Sequence, residues 1–318
     1  MTRKITPSLF VAALLALHLG AAPAHAQASG TYVSAAIGND ANACSNIAAP
    51  CRTFQRAHDQ TNPQGQITVL DPGGYGAVTI TKAISIMNDG VGEASILVSG
   101  GGIGITIDAT EGDSVNLRGI TMQGIGFGGG TGLRFNSGFA LTVTNCVARN
   151  NTADGIQFFP TGASVLAVAN TLLADNGAEG ILVAPTGAGV VRVALNWVQA
   201  YNNANPGIAV SGTGSSGVIG VTVADSVSAN NATGIFALNS SALAATVMVA
   251  RSTISNSRLG AALISSGPNA SLVVGQSAIS GNAATWLAIN GGVLESFGNN
   301  YIFGNFDGDP APPTIPTK

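Results

Sequence analysis

Two acidic side chains near the middle of the chain are candidates for proton transfer because of where they stand. Asp154 and Glu179 each lie directly before a Gly-Ile pair, in segments that are 25 residues apart and alike in pattern. Carboxyls that are held close together can share a proton or bind a cation. The alternative is a pair of solvated turn residues that point away from each other.

A second group of acids has the composition of a calcium loop. Asp108, Glu111 and Asp113 fall within six residues, and oxygen ligands at such spacing can hold Ca²⁺. The alternative is a solvated loop, since the glycine-punctuated aspartate repeat of calcium loops is missing. A similar polar cluster, which Asx turns explain equally well, consists of Asn39, Asp40 and Asn42.

Other catalytic groups are scarce. After residue 26 the one histidine is His58, and no lysine occurs between Lys82 and Lys318. Ser-His and Cys-His triads and His-rich metal sites are therefore excluded from most of the chain. General acid–base catalysis needs titratable groups on both sides of a bond, so the sequence favours a binding protein over an enzyme. Between residues 115 and 306 the acids are Asp154, Asp175, Glu179, Asp225 and Glu295.

Basic and aromatic residues offer two further binding hypotheses. Arg118, Arg134 and Arg149 could form a basic strip for an acidic glycan, or they are isolated surface arginines. Trp197 and Tyr201 could stack on a sugar ring, although Trp197 can equally cover an apolar patch.

The amino terminus predicts export. Arg3 and Lys4 precede an apolar run from Leu9 to Leu19, and Ala24-His25-Ala26 supplies small residues at a cleavage site. Residues 1–26 are therefore predicted to be a removable signal peptide. The run is shorter than the roughly 20 apolar residues of a membrane span, so we expect a secreted or periplasmic protein without a membrane span.

Composition limits the partners. Without residues 1–26, ten basic residues face fifteen acidic ones, and charged residues make up only 8% of the chain. A surface with so few Lys and Arg side chains can neutralise few phosphates, so nucleic acid is not an expected partner. The apolar fraction of 46% excludes disorder.

Three cysteines remain after export. Cys44 and Cys51 lie close together in a loop-like segment, and a disulfide between them is plausible in an oxidising compartment. Cys146 is then left over, and we interpret it as a small half-buried side chain.

Most of the candidate residues described above lie in a chain segment that is built from repeated strand-like runs. Short apolar runs that suit β-strands recur at intervals of 23 to 29 residues, and they align at positions 119, 145, 170, 196, 225, 251, 276 and 299. Such a period is typical of a solenoid. Alternation along a strand sends the residue two places before each aligned position to the interior. These interior residues are Leu117, Val143, Val168, Ala194, Val223, Val249 and Val274.

An asparagine stands six residues after most of the aligned positions, with Ser257 as the exception from residue 145 onward. Asparagine tolerates the left-handed backbone of a tight turn. Stacked asparagines on successive coils can also hydrogen-bond one another. We therefore expect an amide ladder formed by Asn151, Asn176, Asn202, Asn231, Asn282 and Asn305.

With these repeats the chain resembles the right-handed parallel β-helix proteins of the pectin-lyase-like superfamily, over roughly residues 65–309. A second similarity runs from Tyr32 through the segment 49–55 to Gly76, and it resembles the amino-terminal segment of many secreted members. The resemblance implies an all-β fold and a bias toward polysaccharides. It does not imply an activity.

The predicted organisation is a signal peptide (1–26), an amino-terminal cap (27–66), a right-handed parallel β-helix (67–309) and a Pro-rich tail (310–318). The predicted function is binding of a polysaccharide or cell surface, without a cofactor other than a possible Ca²⁺. The alternatives are a polysaccharide lyase or glycoside hydrolase and a purely structural or adhesive rod.

Overall fold

The computed structural model describes residues 28–125, 128–241 and 243–316. The predicted signal peptide lies outside these residues. No helix in the described ranges has the length and the apolar character that crossing a membrane requires.

The described residues form one helix, α1 (Phe54–Gln60), and 28 strands. The strands are β1 (Ala28–Val33), β2 (Thr61–Val69), β3 (Gly73–Gly74), β4 (Val78–Ile80), β5 (Ile84–Met87), β6 (Ala94–Leu97), β7 (Ile103–Asp108), β8 (Ser114–Arg118), β9 (Ile120–Gln123), β10 (Thr131–Ser137), β11 (Ala140–Thr144), β12 (Val147–Arg149), β13 (Ile156–Phe158), β14 (Ser164–Ala174), β15 (Ile181–Val183), β16 (Val191–Tyr201), β17 (Ile208–Ser211), β18 (Ile219–Ala224), β19 (Val227–Ala229), β20 (Ile235–Leu238), β21 (Ala245–Ala250), β22 (Thr253–Ser255), β23 (Ala261–Ser266), β24 (Ala270–Gly275), β25 (Ala278–Ser280), β26 (Ala284–Ile289), β27 (Val293–Ser296) and β28 (Tyr301–Phe303).

These strands stack into a parallel β-solenoid of about nine turns, which confirms the predicted fold. Each strand pairs in parallel with the equivalent strand of the next coil. The first face contains β1, β2, β5, β8, β11, the first halves of β14 and β16, β18, β21, β24 and β27. The second face contains β3, β6, β9, β12, the second halves of β14 and β16, β19, β22, β25 and β28. The third face contains β4, β7, β10, β13, β15, β17, β20, β23 and β26.

The interior is filled by the apolar side chains that alternation turns inward, as predicted, with one correction. Val168 pairs with Leu195 and Leu195 with Val223, so Leu195 is the buried member of this column. Ala194 is exposed on the outer side of β16. The prediction was wrong here because the alignment was one residue out in this coil: the turn residue equivalent to Asn170 is Trp197.

The same shift corrects the amide ladder. Asn203, and not Asn202, lies in the buried row, where its Nδ2 donates to Oδ1 of Asn231 at 2.9 Å and its Oδ1 accepts from Nδ2 of Asn176 at 2.9 Å. Asn202 belongs to an exposed row of left-handed turn residues, and it donates to the carboxylate of Asp175 instead. The other predicted members, Asn151, Asn176, Asn231, Asn282 and Asn305, are all buried.

A second ladder, which sequence reasoning missed, runs inside the turn between the first and second faces. The backbone N–H of Ser226 donates to Oγ of Ser252 at 3.2 Å, and that of Ser252 donates to Oγ of Ser277 at 3.1 Å. Serine is suited to this position because its short side chain brings a hydrogen-bond acceptor to the backbone of the neighbouring coil without filling the interior.

The amino-terminal end of the solenoid is closed by α1. The Thr53 side chain accepts a hydrogen bond from the backbone N–H of Arg56 and so caps the helix. Phe54 is fully buried, and its ring lies 4.9 Å from that of Tyr75. Cys44 and Cys51 are joined by a disulfide with their Cα atoms 5.0 Å apart.

The Pro-rich tail returns across the opposite end. Thr314 forms a parallel bridge with Ser296, at the end of the first face, and Pro312 is buried. The carboxylate of Asp309 accepts from Nδ2 of Asn305 at 2.8 Å, so it receives the last donor of the amide ladder. The tail therefore closes this end and does not trail from it.

Candidate functional site

A cleft of about 560 Å³ lies across the outer side of the first face. Its floor is made by small residues of successive coils, among them Ala167, Ala194 and Gly220. Alternation along the strands places these residues outward, and their small size leaves a channel that crosses the strands. Sequence reasoning did not find this cleft, although small residues at alternate positions of neighbouring repeats were its signal.

The polar groups of the cleft are hydroxyls and one guanidinium. Thr222, Thr246 and Ser271 line it, and Arg192 is its only ionisable residue. At the carboxyl-terminal end the cleft is bordered by apolar groups that include Ile315 of the tail. Hydroxyls donate and accept hydrogen bonds without a net charge, and most of the remaining lining is apolar, so the cleft suits an extended ligand that has apolar faces as well as polar groups.

A row of left-handed residues forms the corner beside this cleft, between the first and second faces. We call it the first-corner row, and it consists of Gly119, Asn145, Asn170, Trp197, Asp225, Arg251 and Gln276. Asn170 donates to Asn145 at 2.8 Å, and Arg251 forms a two-pronged ion pair with Asp225 at 2.7 and 2.8 Å. Trp197 interrupts this chain of polar contacts, with φ at 55° and 61% of its surface exposed. Tyr201, four residues further on, is half-buried.

The third face brings the two candidate acids together. Asp154 is buried, and its Oδ1 accepts from the backbone N–H of Glu179 at 2.9 Å. Its other oxygen accepts from the side chain of Gln157, which itself accepts from Nε of Arg134. Partial burial, followed by the hydrogen bond and negative charge of Asp154, raises the pKa of Glu179 to about 7. A proton therefore binds to this pair near neutral pH.

The arginines do not form the proposed strip. Arg134 lies on the third face, where its guanidinium stands 5.6 Å from the ring of Phe159. Arg118 pairs with Asp89 at 3.0 Å on another part of the surface, and Arg149 lies 3.9 Å from Glu93. Each positive charge thus has its own partner.

The candidate calcium ligands also lie apart. Asp108 accepts from the side chain of Asn136 at 2.7 Å, whereas Asp113 accepts from the backbone and hydroxyl of Thr110 and closes a turn. No hydrogen bond of Glu111 joins it to either. Within residues 28–125, 128–241 and 243–316 no three His, Cys, Asp or Glu side chains converge into a metal-ligand set.

The polar cluster near residue 40 builds turns. Asn39 accepts from the backbone of Ala41 at 2.9 Å, which is an Asx turn. Asp40 accepts from the backbone N–H of Arg52 at 2.8 Å and of Thr53 at 3.0 Å, just before α1. Asn42 donates to the Pro50 carbonyl at 2.8 Å.

The side chains of His58 and Cys146 are buried. His58 accepts a hydrogen bond at Nε2 from the backbone of Thr81, and burial lowers its pKa. Cys146 is a free, buried thiol, and burial raises its pKa to about 11. Neither group is available as a nucleophile or base at the surface.

No protein-family profile and no curated protein sequence matches the chain. Solved structures do match its fold. Pectate lyase Pel9A superposes with a TM-score of 0.59 at 16% identity, covering 83% of this chain and 76% of its own. A rhamnogalacturonan lyase gives 0.60 at 14% identity, with 83% and 74% covered. An alginate lyase from Paenibacillus sp. str. FPU-7 gives 0.50 at 14% identity, with 83% and 95% covered. The chain therefore has the right-handed parallel β-helix fold of the pectin-lyase-like proteins.

Proposed function

We propose that this protein is an exported module that binds a polysaccharide in the cleft on the first face. The observation that carries the proposal is the cleft itself, which crosses several coils and combines a mostly apolar lining with three hydroxyls and one guanidinium. A glycan chain is long and narrow, and its sugar rings combine apolar faces with hydroxyl edges, so its shape and its mixed surface match those of the cleft. The fold is shared with enzymes named for pectate, rhamnogalacturonan and alginate, which supports a polysaccharide as the ligand class.

The charge of the cleft favours an acidic polymer. Arg192 is its single ionisable residue and it is exposed. A guanidinium can bind a uronate carboxylate through two parallel hydrogen bonds. An arginine on an otherwise neutral floor would therefore select uronate-containing chains over neutral ones.

The proposal is tested by calorimetric titration with pectate, alginate, rhamnogalacturonan and a neutral glucan. Ala194→Trp places a large side chain on the floor of the cleft, and Ser255→Trp places the same side chain on the outer side of the second face. We expect binding of a uronate polymer that Ala194→Trp abolishes and Ser255→Trp preserves. Equal binding by both variants, or no binding by the wild type, would contradict the proposal.

Cleavage of the polysaccharide is the second candidate function, favoured by the contact between Asp154 and Glu179 and by their link through Gln157 to Arg134. Neither acid lines the cleft on the first face. We expect binding without cleavage when the same polymers are incubated with the protein, with and without calcium. Chain shortening that a Glu179→Gln variant loses would establish the enzyme instead.

A further inference from the structure

Trp197 occupies a position that is unfavourable for its side chain. Its φ of 55° lies in the left-handed region, where a bulky residue is a conformational outlier. Neighbouring coils place Asn170 and Asp225 at the same corner, and these short polar residues tolerate that backbone. Two later coils place the long side chains of Arg251 and Gln276 at this corner, and Trp197 is the aromatic member of the row.

Nothing within the described parts of the chain compensates for the unfavourable backbone. The indole is 61% exposed, so it packs little apolar surface against the protein. No hydrogen bond of its Nε1 is found, whereas the side chains of Asn170 and Arg251 in the same row bond to the coil before them. Backbone strain that no packing contact compensates is typical of functional sites.

The surroundings of Trp197 have the chemistry of a sugar site. Asn170 stands beside it in the preceding coil, and Asn196 and Gln199 are close to it in β16. All three amides are exposed, and an amide both donates to and accepts from a hydroxyl. Ala194, three residues earlier on the same strand, lines the cleft, and Trp197 lies outside this lining at the corner where the first face ends.

We propose that Trp197 is a stacking platform for one pyranose ring of the bound polysaccharide. This inference rests on the proposed function, since the ring belongs to the same chain that occupies the cleft. The carbon-bound hydrogens of the sugar pack on the indole face, and the hydroxyls at the ring edge bond to the amides of Asn170, Asn196 and Gln199. An apolar face with polar edges is what an exposed indole among amides can recognise.

The test uses Trp197→Asn, which supplies the residue type of the neighbouring coils. Because the new amide tolerates the left-handed backbone and can donate to Asn170, we expect the thermal midpoint to rise by about 2–4 °C. Affinity for the uronate polymer is expected to fall on the order of tenfold. A tryptophan that merely covers an apolar patch would give the opposite stability change, and a lower midpoint would overturn the proposal.

A second readout does not depend on that variant. The chain has two tryptophans, and Trp286→Phe leaves Trp197 as the only indole. Addition of the polymer should shift its emission to shorter wavelength and protect it from acrylamide quenching. The platform is refuted, while binding in the cleft stands, if three results are found together. The wild type binds the polymer, Trp197→Asn binds it with the affinity of the wild type, and the polymer changes neither the emission nor the quenching of Trp197 in Trp286→Phe. If the wild type binds no polysaccharide, both proposals fail.

Discussion

Glu179 illustrates at the residue scale how stacking of coils changes the acidity of one side chain. Its carboxyl is half-buried and hydrogen-bonds to Asp154, which is itself held by Gln157 and by the backbone of Glu179. Burial disfavours the charged form, and a second carboxylate nearby disfavours it further. The folded protein therefore holds a proton here that the unfolded chain, with an ordinary glutamate pKa, releases near pH 4.5.

This difference predicts a pH-dependent stability. The pKa of Glu179 is raised to about 7 in the folded state, so its favourable contribution is complete below about pH 4.5 and is lost as pH rises through 7. Since the group is partly exposed and solvent screens it, we expect a loss of about 1–2 kcal/mol in the free energy of unfolding at pH 8. Urea denaturation at several pH values measures this loss.

The variant Glu179→Gln should remove that loss, because its amide is neutral at every pH. Its free energy of unfolding at pH 8 should exceed that of the wild type, and the two should converge at low pH. Glu295→Gln, which changes another half-buried glutamate, is the matched control. If the free energy of unfolding of Glu179→Gln falls with pH in parallel with that of the wild type, the carboxyl of Glu179 is not the cause of the loss of stability at high pH.

Calcium is a second prediction at this scale. Because Asp108 and Asp113 are bonded to separate partners, we expect a chelator to leave the thermal midpoint unchanged. A midpoint that falls with EDTA and recovers with added Ca²⁺ would contradict this arrangement.

At the scale of the element, the amide ladder joins successive turns from Asn151 to Asn231, is interrupted at Ser257 and resumes between Asn282 and Asn305. Asn176 and Asn203 show the complete pattern: the side-chain oxygen accepts from the amide of the preceding coil, and Nδ2 donates to the amide of the next coil and to a backbone carbonyl, which is that of Ala148 for Asn176 and that of Leu173 for Asn203. These groups are buried, so a missing partner leaves a polar atom without water. The ladder therefore fixes the turn more strongly than an exposed turn residue does.

The neighbouring residues Asn202 and Asn203 provide a matched test. Asn203→Asp replaces a donor with a buried carboxylate that faces other oxygens, and it should cost about 3 kcal/mol or more. Asn202→Asp makes the same chemical change at an exposed left-handed position and should cost less than about 1 kcal/mol. Chemical denaturation of both variants measures the difference, and equal costs would refute the assignment of the ladder to Asn203.

At the scale of the whole molecule, the solenoid is built from contacts between neighbouring coils. The helix α1 closes one end through Phe54, and the tail closes the other through Pro312 and Asp309. Stability in such a structure is a sum of coil and interface contributions. Damage at one end should therefore weaken the adjacent coils and spare the distant ones.

Phe54→Ala tests this locality. Removing a fully buried ring that packs on Tyr75 should cost about 3–5 kcal/mol at the capped end. Hydrogen exchange should become faster in β2, β4 and β5, whereas β21, β24 and β25 should keep the protection of the wild type. Uniform loss of protection along the chain would mean that the rod unfolds as a single unit.

Much of this architecture was determined by the sequence alone. The spacing of apolar runs, the glycines and the asparagines predicted stacked coils, because each coil repeats the same local alternation and the same turn chemistry. Asp154 and Glu179 were predicted to be neighbours from their equal positions before Gly-Ile pairs, and the structure places them in contact. Cys44 and Cys51 were paired by their proximity in the chain, and a disulfide joins them.

Only the tertiary structure decided the register of one coil and the environment of its side chains. The alignment of the apolar runs made Asn196 equivalent to Asn170, but the pairing of β14 with β16 makes Trp197 the equivalent turn residue and places Leu195 and Asn203 in the interior rows. The cleft and the raised pKa of Glu179 were likewise not predicted from the sequence. Both depend on contacts between side chains that are 25 or more residues apart in the chain. The packing of neighbouring coils, rather than local conformational preference, determines these contacts.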